Sequence, residues 1–172
     1  MRFIMSLLTK KSKCYKDKIL DPSMISTVVD QMRTEGKTIA TLNGSFDLLH
    51  AGHLHIIYQA SLQADCLIMG LNTDRSIQEY KSPKRPIVPL KYRLEMIAAL
   101  EFVDYVTFFD ETHPKEFIKK VHPDVHVNGA DWGPNCLEAP LVKELNARLH
   151  IVNLIDSLST SQIVEKIQKL CD

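Results

Sequence analysis

The chain has no net charge to spend on a polyanion: 21 lysines and arginines balance 21 aspartates and glutamates over 172 residues. Without a global field there is no general attraction for nucleic acid or an anionic membrane, and neither is expected as a partner. No apolar run approaches the ~20 residues that a spanning helix needs, and residues 3–8 are too short a stretch for a signal-peptide core. The expected location is the cytoplasm. Cys14, Cys66, Cys136 and Cys171 lie far apart with no Cys-x-x-Cys pair, which argues against a redox motif or a zinc knuckle. Neither Gly-x-Gly-x-x-Gly nor Gly-x-x-x-x-Gly-Lys-Ser/Thr occurs, which counts against a dinucleotide oxidoreductase and a P-loop kinase. Internal repeats and low-complexity segments are missing as well.

What is present suits one folded domain. A hydrophobic share of 45% with 24% charged residues is ordinary for a globular chain of this length. Lys10, Lys11, Lys13, Lys16 and Lys18 mark residues 1–21 as a basic tail, and the domain is expected over 22–172. Helical spacing runs through 22–35, closed by Gly36. Strand-like apolar runs follow at 39–42, 66–71, 105–109, 125–127 and 150–154, separated by helical patterns. Ile163, Val164, Ile167, Leu170 and Cys171 form an amphipathic stripe expected to pack on the sheet. Apolar strands alternating with helices imply an α/β fold, a doubly wound parallel five-stranded sheet with helices on both faces. Its ligand belongs at the carboxyl ends of the strands, where strand order reverses.

The stretch from Asn43 to His53, Asn-Gly-Ser-Phe-Asp-Leu-Leu-His-Ala-Gly-His, joins the first strand to a helix expected over 51–64. The first N–H groups of a helix lack partners within it, and their partial positive charge makes such a turn an anion site. His50 and His53 stand three apart and share a helical face. Gly52 leaves the turn without a side chain, so a bulky anion can come close. The two imidazoles could also sit satisfied in the helix or bind zinc, but zinc needs further ligands and no cysteine lies near. No metal site is expected.

The pattern Gly44-x-Phe46-Asp47-x-x-His50-x-Gly52-His53 resembles the signature of the cytidylyltransferase-like nucleotidyltransferases, and the resemblance extends over roughly residues 38–170. Asn72-x-Asp74, Lys81, Arg85-Pro86, Pro89-Leu90 and Arg93 are similar in order and spacing to the heptose 1-phosphate adenylyltransferases, found as one half of bifunctional heptose kinase/adenylyltransferases. The resemblance implies a Rossmann-like fold and transfer of AMP from ATP to a sugar 1-phosphate, with Mg²⁺ carried by the triphosphate and pyrophosphate released. It also implies a homodimer and a separate sugar kinase upstream. The alternatives are a CTP-dependent enzyme acting on glycerol 3-phosphate or a similar alcohol phosphate, and a catalytically silent nucleotide-binding module.

In that scheme His50, His53 and Lys81 are the expected catalytic groups, Lys81 across the transferring phosphate by resemblance; otherwise it is a solvated loop lysine. Asn43, Gly44, Ser45, Phe46 and Gly52 would line the nucleotide's path. Asn128, Gly129, Asp131 and Trp132 follow the fourth strand: Gly129 would let a base come close, Asp131 accept a hydrogen bond and Trp132 stack, or the segment is a plain turn. Ser159, Thr160 and Ser161 read as a helix cap and, by resemblance, as a β- and γ-phosphate cradle. The chain departs from the family at Asp156-Ser157-Leu158, where relatives tend to carry a glycine or an arginine. Asp47, Asn72 and Asp74 are expected on the acceptor side. Arg85 and Arg93 are candidates for the acceptor's phosphate, since guanidinium forks bind phosphate bidentately; Arg93 could instead pair on its own helix. Residues 80–89, with three prolines among basic residues, read as a binding or lid loop.

Overall fold

The computed structural model describes residues 14–153 and 159–171. Lys10, Lys11, Lys13, Asp156, Ser157 and Leu158 lie outside them. Five parallel strands, β1 (Ile39–Gly44), β2 (Cys66–Asn72), β3 (Tyr105–Phe109), β4 (Val125–Gly129) and β5 (Arg148–Val152), form one sheet in the order β3-β2-β1-β4-β5. Every residue of β2 and β4 is buried, as expected of strands covered on both faces.

Two helix layers provide that cover. On one face α2 (Ala51–Ser61) and α4 (Leu90–Ala98) bring Ile56, Ile57, Leu94 and Ile97 against Leu42, Met69, Val106 and Val127. On the other, α1 (Ile25–Thr34), α5 (Lys115–Val121) and the short α6 (Ala139–Glu144) pack Val29, Met32, Phe117, Ile118 and Leu141 on Ile39, Ile68 and Phe109. Burial of such side chains contributes roughly 1.5–3 kcal/mol each before chain entropy is subtracted. Gly70 in β2 is where α5 comes closest: an added Cβ would lie 2.7 Å from the Phe117 ring, so no larger residue fits without moving the helix. Between β2 and α4 stands α3 (Asp74–Tyr80), capped by the Thr73 hydroxyl, which accepts from the Ser76 N–H.

Three details of the structure bear on the sequence reading. Residues 22–35 split into a 3₁₀ turn, Pro22–Met24, and α1, because Pro22 and the Asp21 cap start the chain in a tighter turn. Residues just before Pro22 touch the sheet: Leu20 N–H donates to the Val106 carbonyl at 2.8 Å, Ile19 bridges the same residue, and Lys18 Nζ donates to the Leu100 carbonyl. The two apolar residues after the lysines thus cover the β3 edge, which otherwise presents unpaired backbone groups. Finally, α7 (Thr160–Cys171) leaves Ile167 and Leu170 exposed, at 51% and 77%. Ile163 and Val164, nearer its start, are partly buried, so the later part of the stripe faces solvent among the described residues.

Candidate active site

The carboxyl end of β1 sits between β2 and β4, where strand order reverses. There the chain turns sharply: Phe46 takes a left-handed conformation with φ 45°, and its ring folds back over Gly44, whose missing side chain leaves it room. His50, in extended backbone, is the residue before α2, and His53 lies in the helix's first turn. The two imidazoles stack with centroids 3.8 Å apart, and Phe46 flanks His53 at 5.2 Å. Nδ1 of each is buried without a hydrogen-bond partner. Burial pushes the His53 pKa down to about 4, helped by the neighbouring His50 and by Lys81, and burial lowers His50 as well. Two imidazoles with lowered pKa values thus face the opening.

Lys81 follows α3 and reaches back to β1, where its Nζ donates to Ser45 Oγ at 2.8 Å. Its pKa is lowered by desolvation and by Arg85. Asp47 is almost wholly buried and ties the turn to the 80–89 loop: it accepts from the N–H groups of Ile87 and Val88, each at 2.8 Å, and pairs with Arg85 at 2.7 Å. Burial alone would raise its carboxyl pKa, but these donors together hold it below the usual carboxylate range.

Above these groups opens a cavity of about 430 Å³. Asn43, Gly44, Ser45, Phe46, His50, Gly52, His53, Asn72 and Lys81 line one part; Asn128, Gly129, Asp131 and Trp132 line another, with Ser159, Thr160 and Ser161 at the mouth of α7. Trp132 stands on the rim, 57% exposed. Ser159 Oγ accepts from Gln162 N–H, so this residue caps α7 while facing the cavity. A second cavity of about 390 Å³ adjoins the first, lined by Ser45, Asp47, Ser82, Arg85, Thr160, Ser161 and Lys81.

Arg93 is not brought to either opening. It is fully buried, and its guanidinium donates to the carbonyls of Ser45, Asn72 and Val88 and to Asp74 Oδ1, at 2.6 to 2.9 Å. A guanidinium spent this way has no fork left for a phosphate; its partners come from the turn after β1, from β2, from the start of α3 and from the 80–89 loop, not from its own helix. Asp74 is likewise occupied, accepting from Leu90 N–H as well. Of the residues expected on the acceptor side, Arg85 and Asp47 line the second cavity and Asn72 the first.

Several lining residues escaped the sequence reading: Ile56, Tyr80, Thr112, His113, Pro114, Leu137 and Glu138. Thr112, His113 and Pro114 follow β3 at the same edge of the sheet as the histidine turn, which was the available signal. Glu138 carries none, lying nine residues past β4 in an irregular stretch.

Residues 41–167 match the Cytidylyltransferase-like family model. The chain is 40% identical over 154 residues to the bifunctional protein HldE of Wolinella succinogenes and 38% identical over 154 residues to that of Syntrophotalea carbinolica, with 89% of this chain covered in each. It spans about a third of the length of those relatives, 32% and 31%. Among solved structures it is similar to a lipopolysaccharide core biosynthesis protein from Thermoplasma volcanium, with 26% identity, a TM-score of 0.57, and 70% of this chain and 98% of that one covered. A pantoate-beta-alanine ligase from Francisella tularensis, 15% identical with a TM-score of 0.61 over 90% of this chain and 79% of its own, shares the fold. A glycine turn with paired histidines at the reversal point of a β3-β2-β1-β4-β5 parallel sheet, lying within the matched residues, is accounted for in one way: the chain belongs to the cytidylyltransferase-like family of nucleotidyltransferases.

Proposed function

We propose that this chain transfers AMP from ATP to a sugar 1-phosphate, heptose 1-phosphate in particular, giving ADP-heptose and pyrophosphate. The observation that carries this reading is that the two cavities share a wall. Ser45, Lys81, Thr160 and Ser161 line both, so a triphosphate in the first and a phosphomonoester in the second meet at Lys81. Arg85 gives one end of its guanidinium to Asp47 and leaves Nε and Nη2 for the acceptor's phosphate. The choice of ATP and a heptose acceptor is supported by the similarity to HldE proteins.

In the reaction an acceptor phosphate oxygen attacks the α-phosphorus of ATP. The new P–O bond forms as the bond from that phosphorus to the oxygen bridging toward the β-phosphorus breaks, and the electron pair leaves with pyrophosphate. The attacker is already an anion and needs no general base, so the protein's part is positioning and charge stabilisation. His50 and His53 donate ring N–H groups to the phosphates, with the α2 N-terminus behind them. Lys81 spans donor and acceptor where charge is transferred. The serines and threonine at the start of α7 hold the outer phosphates. Mg²⁺ arrives with the triphosphate as part of the substrate, and a sugar kinase supplies the phosphorylated acceptor.

A matrix of nucleotides and phosphorylated acceptors, read by pyrophosphate release, tests the assignment. The expected result is fastest release with ATP and heptose 1-phosphate. Faster release with CTP and glycerol 3-phosphate would move the assignment to an alcohol-phosphate cytidylyltransferase, and nucleotide binding without release to any acceptor would make the chain a binding module.

A further inference from the structure

Glu138 and Asn128 form a polar pair in the wall of the larger cavity that the transfer chemistry does not use. Glu138 is 9% exposed and Asn128 8%. Asn128 Nδ2 donates to Glu138 Oε2 at 3.3 Å, and Asn128 Oδ1 accepts from the Gly129 N–H, so the amide's orientation is held from both sides. Glu138 immediately precedes α6, yet its side chain does not cap that helix. No cation pairs with it among the described residues, and its Oε1 has no hydrogen-bond partner there. A buried carboxylate is costly unless donors satisfy it, and here the protein supplies one donor through a single long bond. Its remaining acceptor capacity is open to whatever fills the cavity that Glu138 lines.

The surroundings narrow that ligand to a flat one. Leu137 and Trp132, exposed at 56% and 57%, line the same cavity and add an apolar side chain and an indole to its wall. Glu138 offers an acceptor and Asn128 Nδ2 a second N–H donor. An acceptor next to a donor complements the edge of a 6-aminopurine, where the amino group donates and the adjacent ring nitrogen accepts. A 4-aminopyrimidine presents the same order. A 6-oxopurine presents the reverse, a carbonyl beside a ring N–H, and would set two acceptors and two donors against each other. We infer that Glu138 and Asn128 are the base-reading pair of the nucleotide cavity, selecting amino-substituted bases and rejecting oxo-substituted ones. This rests on the reading of the cavity as a nucleotide site and adds the group that reads the base.

The test is calorimetric titration of the whole chain with the Mg²⁺ complexes of ATP, ITP and 2′-deoxy-ATP, for the unaltered protein and for Glu138→Gln. ITP replaces the amino group by a carbonyl, and 2′-deoxy-ATP removes a ribose hydroxyl that a carboxylate could equally bind. The unaltered protein should favour ATP over ITP on the order of 10²-fold, because the mismatched base leaves buried groups unpaired. Glu138→Gln, isosteric and able to turn its amide donor toward a carbonyl, should narrow that ratio at least tenfold while leaving the ratio of ATP to 2′-deoxy-ATP unchanged. Asn128→Ala should narrow the ATP to ITP ratio in the same direction. Equal binding of ATP and ITP by the unaltered protein overturns the inference, as does a Glu138→Gln effect confined to the 2′-deoxy comparison, which would place the carboxylate on the ribose. A folded protein that binds none of the three would overturn the nucleotide site itself, a different result from one that binds ATP and ITP alike.

Discussion

Arg93 and the histidine pair show how differently polar residues can sit within a few ångströms of one site. Arg93 has its N–H groups directed at three backbone carbonyls and at the Asp74 carboxylate, which also accepts from the Leu90 N–H. Its removal takes the guanidinium donor from the carbonyls of Ser45, Asn72 and Val88 and empties a fully buried site, a loss of roughly 3–5 kcal/mol. His50 and His53 instead keep buried Nδ1 atoms without partners and face an open cavity, so truncating them removes little that holds the fold. Arg93→Ala is therefore expected to lower the urea midpoint sharply, whereas His50→Ala and His53→Ala should unfold close to the parent and lose turnover roughly 10²-fold or more, the scale of losing a preorganised donor. Parallel urea and pyrophosphate-release curves check the contrast. A histidine variant with normal turnover, or an Arg93 variant with an unchanged midpoint, would reverse the assigned roles.

Among the elements, the 80–89 loop departs most from its appearance in the sequence. Its prolines and basic residues read as a binding or lid loop; its second half is tied down by Asp47 on Ile87 and Val88, by Arg93 on the Val88 carbonyl, and by Asp74 on the N–H that begins α4. Its first half carries Lys81, placed by the end of α3, with Nζ donating to Ser45 Oγ and lying 5.5 Å from the centroid of the Tyr80 ring. A lysine on this anchored support is positioned before substrate arrives, and its contact is proposed to matter most as charge moves between phosphates. Lys81→Ala should then lower kcat by a larger factor than it raises KM for ATP, since an interaction made mainly in the transition state appears in kcat. Steady-state kinetics at saturating acceptor decides this, and an effect confined to KM would recast Lys81 as a ground-state contact.

The molecule as a whole buries imidazoles in neutral form. His53 and His126 are each pushed down to about 4 by burial; His126 lies within β4, bonded to the Thr41 hydroxyl at 2.8 Å with its other nitrogen unpartnered. In the unfolded chain these rings titrate near the ordinary value of about 6.5, so between about pH 6.5 and 4 the unfolded state binds more protons than the folded one. Their contribution to stability is thus complete above pH 6.5 and is lost progressively as pH falls toward 4. Urea midpoints should be flat between pH 7 and 8 and fall from pH 6.5 to 4.5. His126→Gln, which retains a hydrogen-bonding side chain but not the titration, should make the fall shallower. A midpoint independent of pH across that window would show that the rings are not held neutral by burial.

Local pattern was enough for the architecture. Apolar runs alternating with helical spacing dictated a parallel sheet covered on both faces, because a strand that carries no polar alternation has no face to give to water. The glycine turn with its two histidines was readable for the same reason: it depends on neighbours within ten residues of one another. What the chain does with residues far apart in sequence was settled only by packing. Arg85 and Arg93 are the same chemistry eight residues apart, and burial under β1 and β2 turns one into a clamp while the other stays at a cavity wall. Glu138 is an unremarkable acid in an irregular stretch until the placement of β4 beside β1 brings its carboxyl into the same cavity as the histidines. Side-chain type and spacing reside in the sequence, but exposure, the partner on the next strand and the depletion of a donor's hydrogen bonds are properties of distances that the folded chain alone creates.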